Sequence, residues 1–187
     1  MRKLAVFNHV TLDGYFTDAD GDMSWAHAGS DDPEFQKFSS ENASGEGELL
    51  FGRVTYEIMA GFWPTPAAMQ TMPAIAEGMN RMRKTVFSRT LEGVSWNNAR
   101  LMTGSLVDEV RKMKDEPGPA IVILGSGSIV SQLAEARLID DYQMVVNPVA
   151  LGKGRTMFDG MKERLPLRLT RSRTFGNGKV FVTYEAA

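Results

Sequence analysis

The run Ile121-Val122-Ile123-Leu124-Gly125-Ser126-Gly127-Ser128-Ile129 restricts the possible folds more than any other stretch of this chain. Its first residues are apolar without alternation, the pattern of a strand covered on both faces, and such strands belong to parallel sheets. Small residues follow at once and lead into a segment with helical character, Ile129 to Arg137. A buried strand that turns directly into a helix is half of a βαβ unit, and a sheet built from such units carries helices on both faces.

Comparable units recur. Leu4 to Val10 reads as a short apolar strand, and Leu49-Leu50-Phe51 as another that ends at Gly52. Arg53 to Ala60 has helical character, with Gly61 as its stop. Pro64, Pro66 and Pro73 mark an irregular excursion, followed by a helix from Ala74 to Arg83 and a strand at Thr85-Val86-Phe87. Leu106, Val110 and Met113 recur at helical spacing behind Ser105, which has the form of a capping box with Asp108. Ala120 to Leu124 and Tyr142 to Val149 are further strands. Leu167 to Thr174 and Lys179 to Glu185 flank Gly176-Asn177-Gly178, which suits a β-hairpin. Residues 17–33 carry two Gly and five Asp and read as a long loop, more often a site than filler, before a short helix from Glu34 to Ser40. The expected architecture is one three-layer α/β domain over residues 1–187. It has a mostly parallel central sheet, helices on both faces and an antiparallel C-terminal hairpin.

Composition removes several classes of function. There are no cysteines and only two histidines, His9 and His27, so neither a disulfide framework nor a Cys/His zinc site is expected. A zinc-dependent deaminase fails on the same ground. The net charge of −2 gives no general attraction to nucleic acid or to an anionic membrane. No apolar run approaches the ~20 residues that span a bilayer. Leu4 to Phe7 is too short for a signal-peptide core, so a cytoplasmic location is expected. Any anion this protein binds must be held by local groups.

Those groups cluster after strands. At Gly125-Ser126-Gly127-Ser128-Ile129 the helix start offers unpaired N–H groups and a favourable dipole, and glycine lets a phosphate approach the backbone. An ordinary strand-to-helix turn has the same composition. Gly52-Arg53-Val54-Thr55 repeats the arrangement with a guanidinium and a hydroxyl beside it, although Arg53 also fits a solvated surface position. Ser88 and Arg89 end a third strand. Ligands of open α/β sheets bind beyond the carboxyl ends of the strands, and three such ends suit a long, multiply phosphorylated ligand such as a dinucleotide. Gly152-Lys153-Gly154-Arg155 is either a fourth anion site or a charged turn. Asp13 is either a site carboxylate or the polar half of an Asp-Gly turn, and Trp25 either walls a pocket or anchors its loop.

Leu12-Asp13-Gly14-Tyr15, Leu50-Phe51-Gly52-Arg53-Val54-Thr55-Tyr56-Glu57 and Leu124-Gly125-Ser126-Gly127-Ser128, in that order, resemble the dihydrofolate reductase-like superfamily. Val149-Ala150-Leu151-Gly152-Lys153-Gly154 and then Phe158 resemble the branch related to the reductase domain of bacterial riboflavin biosynthesis. The resemblance implies an NADPH-binding sheet. Arg53 and Thr55 would contact cofactor phosphates, Ser88 and Arg89 the adenosine 2′-phosphate, and Gly125 to Ile129 the pyrophosphate. The nicotinamide would lie near Val10, Asp13 and Gly125, with Trp25 and Lys153 on the substrate side. Dihydrofolate reductases join the Gly-Gly of the last turn by a cis peptide, whereas the pair here is Gly125-Ser126. They also carry a Pro-Trp pair followed by a buried carboxylate. Here Ser24 precedes Trp25, and Asp31, Asp32 and Glu34 lie in a polar segment that suits helix capping. The implied function is hydride transfer from NADPH to a small heterocyclic or carbonyl/imine substrate other than dihydrofolate, in a homodimer. The alternative is a non-catalytic nucleotide-binding module of the same fold.

Overall fold

β1 (Leu4–Thr11) alternates its side chains between two covered faces, and this alternation organises everything around it. Leu4 and Val6 face the same way as Leu50, Ile121 and Ile123, and pack with Val110, Met113, Val130 and Leu133. The computed structural model describes residues Met1–Ala187. β2 (Glu48–Gly52), β3 (Arg83–Phe87), β4 (Ala99–Met102), β5 (Ile121–Leu124) and β6 (Asp141–Asn147) run parallel to β1. β7 (Leu167–Thr174) and β8 (Val180–Ala186) form the antiparallel hairpin, and β8 pairs antiparallel with β6. The order across the sheet is β4-β3-β2-β5-β1-β6-β8-β7.

The helices divide between the two faces. α5 (Leu106–Asp115) and α6 (Gly127–Glu135) supply Val110, Met113, Val130 and Leu133 to the face just described. On the other face, Leu49, Phe51 and Val86 meet Tyr56 of α2 (Arg53–Phe62) and Met79 of α4 (Pro73–Arg81). Phe35 and Phe38 of α1 (Pro33–Ala43) pack there with Val145, Phe175 and Phe181. Each large apolar side chain fully buried in these layers contributes roughly 1.5–3 kcal/mol. Connections leave β1 and β2 toward one face, while β5, which lies between them, sends α6 to the other. Neighbouring strands whose helices diverge in this way leave a crevice at their carboxyl ends.

Several local readings change. Gly61 does not stop α2, which runs to Phe62. The proline-rich excursion contains α3 (Pro66–Thr71) and the start of α4, with Pro66 and Pro73 in their first turns, where a missing N–H costs nothing. β4 has no counterpart in the expected strands. Ser105 makes no side-chain cap, so the expected capping box does not form. α1 is longer than expected and is capped by Asp32, whose Oδ1 accepts from the Phe35 N–H at 2.7 Å. No peptide bond is cis, including Gly125-Ser126.

Buried charged groups in the core are hydrogen-bonded. Glu48, at the start of β2, accepts from Arg2 at 2.8 Å, Thr85 at 2.6 Å and Arg100 at 3.0 Å. The ammonium of Lys84 donates to the carbonyls of Asn80, Met82 and Asn97 and lies over the Trp96 ring.

Candidate functional site

The two glycine-containing turns are bolted together. The Ser126 hydroxyl accepts from the Gly52 N–H at 2.7 Å and donates to Thr55 Oγ1 at 2.9 Å, and the Ser126 N–H donates to the same oxygen at 3.1 Å. Ser126 is left-handed, with φ of 55°, an uncommon conformation for a residue with a side chain. On the other side Asn8 holds Gly125, accepting from its N–H at 2.7 Å. The first two N–H groups of α6, on Gly127 and Ser128, have no acceptor in the protein, whereas those of Ile129 and Val130 reach the Ser126 carbonyl. The helix start therefore presents an unpaired anion-binding pair.

The glycines here have a different purpose from the one their sequence suggests. A Cβ on Gly125, at φ of +61°, would stand 2.7 Å from Thr55 Oγ1. One on Gly127 would stand 2.9 Å from the Phe16 ring, and one on Gly52 would stand 3.1 Å from Ser126 Oγ. Their missing side chains let the turns and the Phe16 loop close on each other, rather than holding open a hollow for phosphate.

A cleft of about 1910 Å³ runs from these turns along the sheet between α1 and α2. That exceeds the ~300–1,000 Å³ of an ordinary small-ligand pocket and leaves room for a long ligand and a second molecule. Gly52, Arg53, Thr55, Ser88 and the whole segment Gly125 to Ile129 line it. Arg53 is half exposed and paired with Glu57 at 2.9 Å. The Ser88 hydroxyl accepts from the N–H groups of Thr90 and Leu91, and Arg89 beside it is exposed.

Five expected site residues lie off this lining: Val10, Asp13, Trp25, Arg89 and Lys153. Val10 is in the core, and Lys153 is exposed. The Asp13 carboxylate accepts from the Thr11 hydroxyl at 2.6 Å and from the N–H groups of Leu151 and Gly152 at 3.0 and 2.7 Å. The Thr11 bond and then the Gly152 bond hold its pKa below the usual carboxylate range. It ties the turn after β1 to the loop after β6. Trp25 sits in a short 3-10 turn, Ser24–His27, with its indole N–H buried and unpartnered.

The cleft also contains His9, which the sequence marks only as one of two histidines and as part of the first strand. Register pairs Phe7 with Leu124 and with Gln143, so His9, two residues on and facing the same way, stands level with the turn that ends β5. Burial first, then the Lys179 ammonium, push its pKa down to about 4, which keeps the imidazole neutral at ordinary pH. Phe7 and Phe35 meet its ring edge-on. The alternation Phe7, His9 along β1 is the sequence signal that would have placed it on the cleft face.

The open, mostly parallel sheet, its cleft across the diverging ends of β2, β5 and β1 and its antiparallel C-terminal hairpin are the dihydrofolate reductase-like fold. Residues 2–181 match the RibD C-terminal domain, and the chain belongs to that family. It is 27% identical over 186 residues to YyaP, an uncharacterized protein of Bacillus subtilis (strain 168), covering 98% of this chain and 95% of YyaP. The fold is shared with a putative riboflavin biosynthesis protein from Shewanella sp. PV-4, at a TM-score of 0.74 and 22% identity over 99% of each chain. It is also shared with dihydrofolate reductase from Enterococcus faecalis complexed with NADP(H) and RAB-propyl, at a TM-score of 0.67 and 18% identity over 98% of this chain and 96% of that one. No helix is long and apolar enough to cross a membrane.

Proposed function

We propose that this protein is an NADPH-dependent reductase of a small heterocyclic or carbonyl/imine-bearing molecule. The observation that carries this reading is the pair of cross-linked turns, which sets the free N–H groups of Gly127 and Ser128 at one end of a cleft large enough for a dinucleotide and a substrate. The fold neighbour from Enterococcus faecalis is described with NADP(H) bound. In this reading Gly127 and Ser128 hold the pyrophosphate, with the Ser128 hydroxyl beside them, and the exposed guanidinium of Arg53 reaches a phosphate from the start of α2. Thr55 holds Ser126 by accepting twice through its oxygen, and its hydroxyl proton remains free to donate to a cofactor phosphate. Ser88 and Arg89 take the 2′-phosphate. Bound NADPH would supply a hydride, and the protein's task is close approach and orientation.

The cleft supports a substrate other than dihydrofolate. Glu46 and Asp159 are its only lining carboxylates, and neither belongs to α1 or follows Trp25 in the loop before it. The test is NADPH titration by fluorescence, followed by NADPH oxidation across pterins, flavin precursors and quinones. Saturable NADPH binding with turnover on one of them, and little on dihydrofolate, is expected. Binding without turnover on any would leave a non-catalytic nucleotide module, and absence of NADPH binding would overturn the reading.

A further inference from the structure

The middle of the cleft lacks fixed charge. Its ionised lining groups are Arg53, Arg155 and Asp159 around the strand-end turns and the loop after β6, and Glu46 at the opposite end, before β2. Between them α2 turns Val54, Ile58 and Phe62 into the cleft, and these remain 52%, 56% and 39% exposed. They recur four residues apart and form one stripe. Large apolar side chains left bare inside a concavity mark a contact for an apolar ligand face. Across from them α1 offers Gln36, Ser39 and Ser40, uncharged hydrogen-bonding groups. The Lys179 ammonium, whose charge acts on His9, is taken by the Ala26 carbonyl at 2.6 Å and lies over the Phe35 ring.

At the sheet floor His9 has one nitrogen engaged. Asn147 Nδ2 donates to the carbonyls of Val10 and Val145, so the atom it turns toward His9 Nδ1, 3.4 Å away, is a donor. Both hydrogens of that amide are spent on the two carbonyls and its nitrogen cannot accept, so an N–H at Nδ1 would be left unsatisfied and the neutral ring carries its proton on Nε2. That atom has no protein partner and is not sealed from the cleft.

We propose that this cleft selects an uncharged, flat, carbonyl-bearing ring, packed against the α2 stripe and hydrogen-bonded by His9 Nε2. The proposal rests on the reductase reading, since the ring is the molecule beside which the nicotinamide would lie. A carboxylate or phosphate packed against Ile58 and Phe62, opposite Gln36, Ser39 and Ser40, would meet no cation among these lining residues, and its desolvation would oppose binding.

The test uses a matched pair of probes, anthraquinone-2-carboxamide and anthraquinone-2-carboxylate, titrated calorimetrically into the full chain, with NADPH titrated separately. The carboxamide is expected to bind at least about tenfold more tightly, and to shift the His9 Nε2–H resonance in nitrogen-edited NMR spectra. His9→Leu should weaken carboxamide binding by about five- to tenfold, and His9→Gln, which keeps a neutral donor, should recover most of it. Ile58→Asp, at an exposed position that tolerates a polar residue in the fold, should weaken it by more than about tenfold. Equal or tighter binding of the carboxylate, or full affinity in both His9→Leu and Ile58→Asp, would overturn the proposal. NADPH binding with neither probe bound overturns it and leaves the reductase reading intact. Carboxamide preference without NADPH binding would do the reverse.

Discussion

Thr55 and Ser126, which lie 71 positions apart in the chain, share one oxygen: Thr55 Oγ1 accepts both the N–H and the hydroxyl of Ser126. This link holds the start of α2 against the start of α6 and fixes the width of the crevice between β2 and β5. Thr55→Val keeps the shape and leaves two donors without a partner. It should destabilise the protein by about 1–3 kcal/mol in urea unfolding and weaken NADPH binding, whereas Thr55→Ser should restore both. Unchanged stability in Thr55→Val would mean that the Gly52–Ser126 hydrogen bond and packing hold the two turns without Thr55.

Much of this arrangement was legible in the sequence, but not that link. The apolar run into Gly125 and the segment Gly52 to Thr55 identify both turns because strand burial and helix starts leave local marks. The contact between the turns depends on β2 and β5 being neighbours, which nothing local encodes. β4 was invisible for a related reason. Ala99-Arg100-Leu101-Met102 has only four residues, and its stability comes from pairing with β3 and from the reach of Arg100 to Glu48 and Thr85. Pro66 and Pro73 read as breakers because only their position in the first turn makes them helix starters. Asp13 followed the first strand, as a site carboxylate would, yet its oxygens are consumed by Leu151 and Gly152 from a loop distant in sequence.

Tyr142 is 1% exposed, and its hydroxyl has no hydrogen-bond partner. Burial pushes its pKa up to about 12, so the group is never ionised in ordinary buffers. Tyr142→Phe removes an unsatisfied polar atom and keeps the ring that packs against Phe158. Its stability in urea is expected to equal that of the wild type or exceed it by up to about 1 kcal/mol. A loss larger than about 1 kcal/mol would show that the hydroxyl is hydrogen-bonded in solution.

His9 should make stability fall on the acid side. Its folded pKa of about 4 lies below the ordinary value of 6.5. Between these values the unfolded chain takes up a proton that the folded one excludes. The stability contributed by neutral His9 is therefore complete above about pH 6.5 and is lost as pH falls toward about 4, by at most about 1.4 kcal/mol per unit. Urea unfolding at about pH 7, 5.5 and 4.5 should show a steeper loss in wild type than in His9→Gln. Parallel curves would mean that His9 titrates normally in the fold.

β7 is an edge strand of eight residues paired only with β8, and Leu169 on it is 50% exposed. An edge of this length calls for cover, although Arg168, Arg171 and Arg173 discourage indiscriminate pairing along it. A two-fold homodimer that covers the hairpin is expected. Light scattering at micromolar concentration should give twice 20.7 kDa, and a mass of 20.7 kDa would refute it.

Cofactor choice should rest on Arg89. NADPH and NADH differ by one phosphate on the adenosine ribose, so discrimination needs a local cation, which a net charge of −2 does not provide in general. Ser88 follows β3 and lines the cleft, and Arg89 extends from the next position into solvent at the same strand end. The Ser88 hydroxyl accepts from the N–H groups of Thr90 and Leu91, which orients the turn, and lies 3.3 Å from the Thr90 hydroxyl, so the two hydroxyls form a pair at this strand end. Arg89 makes no ion pair within the protein, so a guanidinium fork is free for a phosphate. Replacing Arg89 with Ala should weaken NADPH binding by about ten- to a hundredfold and leave NADH binding nearly unchanged. The NADPH loss should also shrink as salt rises, because an exposed cation is screened. Paired titrations of both cofactors against wild type and Arg89→Ala decide the matter: equal losses for the two, or none for either, would place the 2′-phosphate away from this strand end.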